Sequence, residues 1–164
     1  VILALAILIG MILIIQFIYS SPKCYEGSVF PVFSPNNADE LFNVIRNAKY
    51  EIKVEVYEFS DKDLADALIE AKKRGVSIMV ILESSVYQNN GIFKYLINNG
   101  IDATWAKNFH NTHSKFMIVD DKLVFVGSMN WSDNSLRSNR EASVIVYSKE
   151  VSRKFEEIFD MDFA

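Results

Sequence analysis

The chain reads as an α/β domain, a mixed, largely parallel β-sheet flanked by helices and preceded by an N-terminal hydrophobic helix. Three observations predict this. Short β-branched runs alternate with amphipathic segments between residues 29 and 160, an order that lays helices over both faces of a sheet. Half of the 164 residues are hydrophobic, which suits one domain with a full core and not a disordered chain. Val1–Ile18 is interrupted only by Gly10 and Gln16, and no charge occurs before Lys23. An apolar run of about 18 residues or more can cross a bilayer as a helix.

Each element has its own reason. Residues 1–19 read as a transmembrane anchor, or as a signal segment if cleaved, and 20–28 as a polar linker with Pro22 and Gly27. These readings place the protein at a membrane through a single-pass anchor, or outside the cell after cleavage. The domain then spans 29–164. Val29–Phe33 is a short strand ended by Ser34-Pro35-Asn36. Asn36 or Asn37 can cap a helix running to Lys49, with Leu41, Phe42, Val44 and Ile45 as its apolar face. Glu51–Phe59 alternates polar and apolar residues, the pattern of a half-buried strand. Asp61 opens a helix with acids first and Lys72-Lys73-Arg74 last, stopped by Gly75, as the helix dipole and the C-terminal glycine preference favour. Val76–Leu82 is a central strand, Ile92–Asn98 a helix and Ile101–Ala106 a strand. His113–Val119 and Leu123–Val126 form a hairpin through Asp120-Asp121-Lys122. Ala142–Tyr147 is the last strand, before a helix from about Lys149 to Phe159.

Charge and cysteine content narrow the chemistry. A formal net charge of −4 argues against a broad basic surface that would hold nucleic acid by charge alone, although a local positive groove is compatible with it. Cys24 is the single cysteine, so no disulfide within the chain and no cysteine-based zinc site can form.

The chemical signal is concentrated between His113 and Asn130. Side chains alternate along a strand, so His113 and Lys115 fall on the same side, about 7 Å apart at two residues' rise. An imidazole beside an ammonium suits a phosphate: the lysine balances oxygen charge while the histidine attacks or transfers a proton. Ser128 and Asn130 repeat that spacing after Gly127, whose missing side chain permits a close backbone approach.

The pattern His113-x-Lys115-x4-Asp120-x6-Gly127-Ser128-x-Asn130 resembles the signature of the phospholipase D superfamily, with every spacing kept. The motif occurs once, as in single-motif members such as small bacterial endonucleases and mitochondrial cardiolipin hydrolase. The resemblance implies a phospholipase D-like fold and a phosphodiesterase that needs no metal or cofactor. One His113 would form a phosphohistidine, and the His113 of a second copy in a homodimer would protonate the leaving oxygen. Lys115, Ser128 and Asn130 would bind the phosphate. Glu141 would orient and stabilise the histidine, and Asp120 would support the site or anchor the turn. The expected substrate is nucleic acid, with phospholipid as the alternative, and a catalytically idle phosphate- or membrane-binding module is the reading from a different class. Other readings stay open. His110 with His113 could suggest a metal pair, and Trp131 and Phe109 could stack on a substrate or simply pack.

Overall fold

Seven strands and four α-helices follow from these runs in the computed structural model, which describes residues 9–12, 24–107 and 109–164. They are β1 (Ser28–Phe33), α1 (Asp39–Asn47), β2 (Glu51–Val56), α2 (Lys62–Lys73), β3 (Ser77–Leu82), α3 (Asn89–Asn98), β4 (Asp102–Trp105), β5 (Lys115–Val119), β6 (Leu123–Gly127), β7 (Ala142–Tyr147) and α4 (Lys149–Phe163). A short π-helical turn, Asn134–Ser138, lies between β6 and β7, in a stretch for which the sequence predicts no element. Residues 9–12 are helical, and no helix among the described residues is long and apolar enough to cross a membrane. Most of the predicted 1–19 anchor, and residues 20–23 of the linker, lie outside the described residues.

The sheet is mixed, in the order β1-β7-β6-β5-β2-β3-β4, and the expectation of a largely parallel sheet is wrong. Only β2/β3 and β3/β4 pair in parallel; β1/β7, β7/β6, β6/β5 and β5/β2 are antiparallel. The reason lies in the connections. Helices α2 and α3 return the chain to the same end of the sheet, which parallel pairing requires. Among the described residues no helix separates β4 from β5, and β5 and β6 are joined by a tight turn. Asp120 and Asp121 both take positive φ, 56° and 50°, and Lys122 N–H donates to the Val119 carbonyl at 3.1 Å. Two left-handed residues in succession make the mirror-image turn that fits strand twist, and aspartate tolerates that conformation better than most residues.

Helices α1, α2 and α3 cover one face. Leu41, Ile45, Leu64 and Leu68 meet Ile52, Val54, Val80 and Met117 in the main core cluster. Helix α4 covers part of the other face, where Phe159 and Phe155 pack with Phe116, Ile118 and Val124. Strand β2 is therefore buried on both faces, not half-buried as its alternation suggests: Lys53 is 5% and Glu55 3% exposed. The Lys53 ammonium reaches Glu156 at 2.6 Å and Asp160 at 2.8 Å on α4 and Glu51 at 3.5 Å. Asp61 caps α2 by accepting from Leu64 N–H at 2.9 Å. Asn37 does not cap the helix; it accepts from Phe33 N–H at 2.7 Å and closes the turn after β1, while α1 starts from Ala38, one residue later, without a side-chain cap.

Candidate active site

The edge of the sheet where β2 ends and β5 begins gathers most of the motif. In the antiparallel register Val56 opposes Lys115, and just beyond it Tyr57 N–H donates to the Ser114 carbonyl at 3.0 Å. His113 lies two residues before the first residue of β5, outside the strand, yet its ring still meets Lys115. Lys115 Nζ is 3.2 Å from His113 Nδ1 and donates to the His113 carbonyl at 2.8 Å. The Tyr57 ring packs on the imidazole with centroids 4.5 Å apart, and the ammonium stands 5.2 Å from that tyrosine's centroid. His113 is exposed, whereas Lys115 is buried.

Burial pushes the Lys115 ammonium below its ordinary range, while the charges of Glu141 and Glu58 draw it back up. A lysine cation has donors only, so Nδ1 must accept in this contact and a neutral ring then carries its proton on Nε2. That tautomer offers a proton toward the open side. A free lone pair on Nε2 requires the opposite tautomer, which forms only when the Lys115 contact to Nδ1 is released.

Ser128, Asn130 and Glu141 come from the segments flanking the β6–β7 connection. Gly127 is required there: a Cβ at this position would collide with the Ser143 and Ala142 backbone of β7. Ser128 Oγ donates to Glu141 Oε2 at 2.5 Å and accepts from Ala142 N–H at 3.1 Å. Asn139 donates to the other carboxylate oxygen at 3.3 Å. Within one chain, then, Glu141 holds Ser128, and its hydrogen bonds go to Ser128 and Asn139 and not to His113. Asn130 Oδ1 is buried without a hydrogen-bond partner. Asp120 sits at the far end of β5, where its carboxylate accepts from the amides of Lys49 (2.9 Å), Tyr50 (2.7 Å) and Glu51 (3.0 Å). It ties the β5–β6 turn to the start of β2.

Sequence reading missed several neighbours. Tyr57 is the last polar position of an alternating run, and only the β2–β5 register brings it to His113. Glu58, whose charge is felt at Lys115, follows the same strand end and carries no local signal. Thr112, Glu55 and Glu83 form a buried group directly before His113, where Thr112 Oγ1 donates to Glu55 and Thr112 N–H to Glu83 Oε2 at 2.8 Å. Of the aromatic candidates, Trp131 is core, 1% exposed and edge-on to Phe59, whereas Phe109 stays exposed. His110 is exposed, and among the described residues no three His, Cys, Asp or Glu side chains group as a metal would need. A cleft of about 420 Å³ opens beside the site, lined by His113, Lys115, Val126, Phe155 and Ile158 with Lys154 at its edge.

Three comparisons bear on this geometry. The family described as "Cardiolipin synthase, PLD-like domain" matches residues 41–163. The mitochondrial cardiolipin hydrolase of Mus musculus is 29% identical over 128 residues, which cover 77% of this chain and 58% of that protein. A phospholipase D of Rickettsia conorii is 30% identical over 140 residues, 84% of this chain and 70% of that protein. The chain spans only about half the length of the mitochondrial relatives it matches. Among solved structures, a phospholipase D family member, Nuc from Salmonella typhimurium, superposes with a TM-score of 0.79 at 28% identity, over 84% of this chain and 95% of that one.

Proposed function

Since the chain belongs to the phospholipase D superfamily, we propose that it hydrolyses phosphodiester bonds through a phosphohistidine on His113, with nucleic acid as the substrate. The observation that carries the reading is the exposed His113 imidazole held 3.2 Å from the buried Lys115 ammonium at the open end of the sheet. A buried cation that is not neutralised by an ion pair is expensive unless an anion arrives to use it. A phosphate is that anion. Nε2 of His113 attacks phosphorus, forming an N–P bond as the P–O bond to the leaving group breaks. The leaving oxygen takes a proton from a second histidine; water then attacks the phosphohistidine, gives that histidine its proton back and restores the first imidazole. Lys115 and the Asn130 amide hold the phosphoryl oxygens, with Ser128 aimed by Glu141 in support. The charge of Glu141, felt at Lys115, favours the cationic forms that arise during the reaction.

These 164 residues carry one such histidine, and the second is proposed to come from a second copy. Support for a homodimer is the apolar groove of Pro31, Phe33, Val126 and Val144, which lies against Gly127 beside the site and is left uncovered by α4. The resemblance of the motif to that of small bacterial endonucleases favours a nuclease. The second reading, a phospholipid hydrolase attached to a membrane through the N-terminal segment, is favoured by the mainly apolar cleft next to His113 and by the names of the relatives. The deciding experiment presents the chain in parallel with single-stranded DNA, RNA, duplex DNA and cardiolipin-containing vesicles, with and without EDTA. Cleavage of a nucleic acid that survives EDTA is the expected result. Headgroup release alone would transfer the assignment to the lipid, and no turnover of any phosphodiester would leave only a phosphate-binding module.

A further inference from the structure

We propose that Glu55 is a positioning residue for His113, acting through the hydroxyl of Thr112, the residue that precedes the histidine in the chain. The inference rests on the phosphodiesterase reading for its activity measurements and on the fold alone for its spectroscopic one. Glu55 lies near the end of β2, opposite Phe116 of β5 and Ile81 of β3, and is 3% exposed. A carboxyl group in such a place normally has a cation or is replaced by an apolar residue. Here the nearest cation on the same strand face, Lys53, is taken by Glu51, Glu156 and Asp160, and no described residue forms an ion pair with Glu55. Burial pushes the carboxyl upward, the Thr112 and Ser114 hydroxyls pull it back, and Asp162 on α4 adds a further push upward. Its Oε2 remains buried without a hydrogen-bond partner.

What Glu55 does hold is residue 112. Thr112 is 4% exposed and fixed twice, by its hydroxyl on Glu55 and by its amide on Glu83 at 2.8 Å. On the far side of His113, the Ser114 carbonyl is fixed by Tyr57 N–H at 3.0 Å. The histidine thus projects from a three-residue segment clamped at both ends to β2 and β3, although it is not itself part of a strand. Glu55 touches neither the imidazole nor the place where substrate would lie. Its effect passes through backbone placement, where an error near 1 Å can cost about 10²-fold in rate.

The test uses the 164-residue chain and four variants: Thr112→Val, Glu55→Leu, the double variant and Glu55→Gln. Turnover of bis(p-nitrophenyl) phosphate gives kcat and KM, and ring ¹⁵N shifts report the His113 tautomer, with His110→Asn used to separate the two histidines. Thr112→Val and Glu55→Leu should each lower kcat by about 10–100-fold with KM changed by less than about 2-fold. The double variant should be no worse than the more damaged single one, because both changes cut one connection. Glu55→Gln keeps an oxygen that accepts from Thr112 and should stay within about 3-fold of the parent. In the damaged variants the His113 ring should lose its single-tautomer shifts. Parent-like shifts and kcat in Thr112→Val, or strictly additive losses, would overturn the proposal. Should Glu55→Leu fail to fold, Thr112→Val carries the same prediction with only a hydroxyl exchanged for a methyl. If the parent turns over no phosphodiester, the activity reading fails by itself, and the ring shifts still decide the role of Glu55.

Discussion

The half of the sheet formed by β2, β3 and β4 and the half formed by β5, β6, β7 and β1 are built differently. In the first, helical crossovers enforce parallel pairing, and Leu64, Leu68, Val54 and Val80 are fully buried. In the second, the strands are antiparallel, α4 reaches only part of the face, and Val29 and Phe33 on β1 are 61% and 43% exposed. His113, Ser128 and Asn130 lead into or follow strands of this second half, and Lys115 is the first residue of one. The closed half holds the larger buried core, and the open half holds the candidate site and an uncovered apolar surface, where we propose that a second copy docks. Substitutions in the two halves should therefore register in different measurements.

The largest effect belongs to the open half. His113→Asn should abolish turnover while leaving the thermal midpoint within about 2 °C, since the side chain is exposed. Dimers mixed from parent and His113→Asn chains should show far less than half the parent activity; half activity would mean that each chain works alone. Lys115→Ala should cost at least about 10²–10³ in kcat, the usual loss for one charge-stabilising donor. A stability loss without a rate loss for this variant would break the division between the halves.

In the closed half, Leu68→Ala should lower unfolding free energy by about 2–5 kcal/mol, read by denaturant titration, with kcat unchanged below the melting temperature. Asp120→Ala sharpens the boundary, because this motif residue bonds three amides of the β2 start and touches no part of the site. It should cost about 1.5–3 kcal/mol of stability and little activity at temperatures where the fold persists.

The smallest effect is a pH dependence. Burial pushes Glu83 up, but the amides of Ser85 and Thr112 more than offset this and hold it below its ordinary value. A carboxyl lowered by folding adds stability that is present above its unfolded pKa of 4.5 and is lost as pH falls through the folded value. Glu55, raised by burial, has the opposite sign: its contribution is complete below 4.5 and declines as pH rises through its folded value. Stability measured from pH 3 to 8 should accordingly show Glu83→Gln losing most at neutral pH. Glu55→Gln should gain relative to the parent over the same rise. Parallel curves for the parent and both variants would show that neither carboxyl titrates differently in the folded state.

The sequence by itself determined the elements whose signals are local. Alternation marked β2, a continuous apolar run marked β3, the Asp61 cap and Gly75 stop bounded α2, and the aspartate pair specified the hairpin turn, because such features depend on neighbours within a few residues. The spacing from His113 to Asn130 likewise carried the family resemblance, since strand geometry fixes which residues share a side. Strand order, direction and burial were decided elsewhere. Placing β5 beside β2 made the sheet mainly antiparallel, buried Lys53 and Glu55 under α4 and put Tyr57 on His113, while pairing β7 with β6 gave Glu141 to Ser128. These pairings join residues from 13 to more than 100 positions apart. Their energies come from desolvation and long-range packing, which no local pattern records.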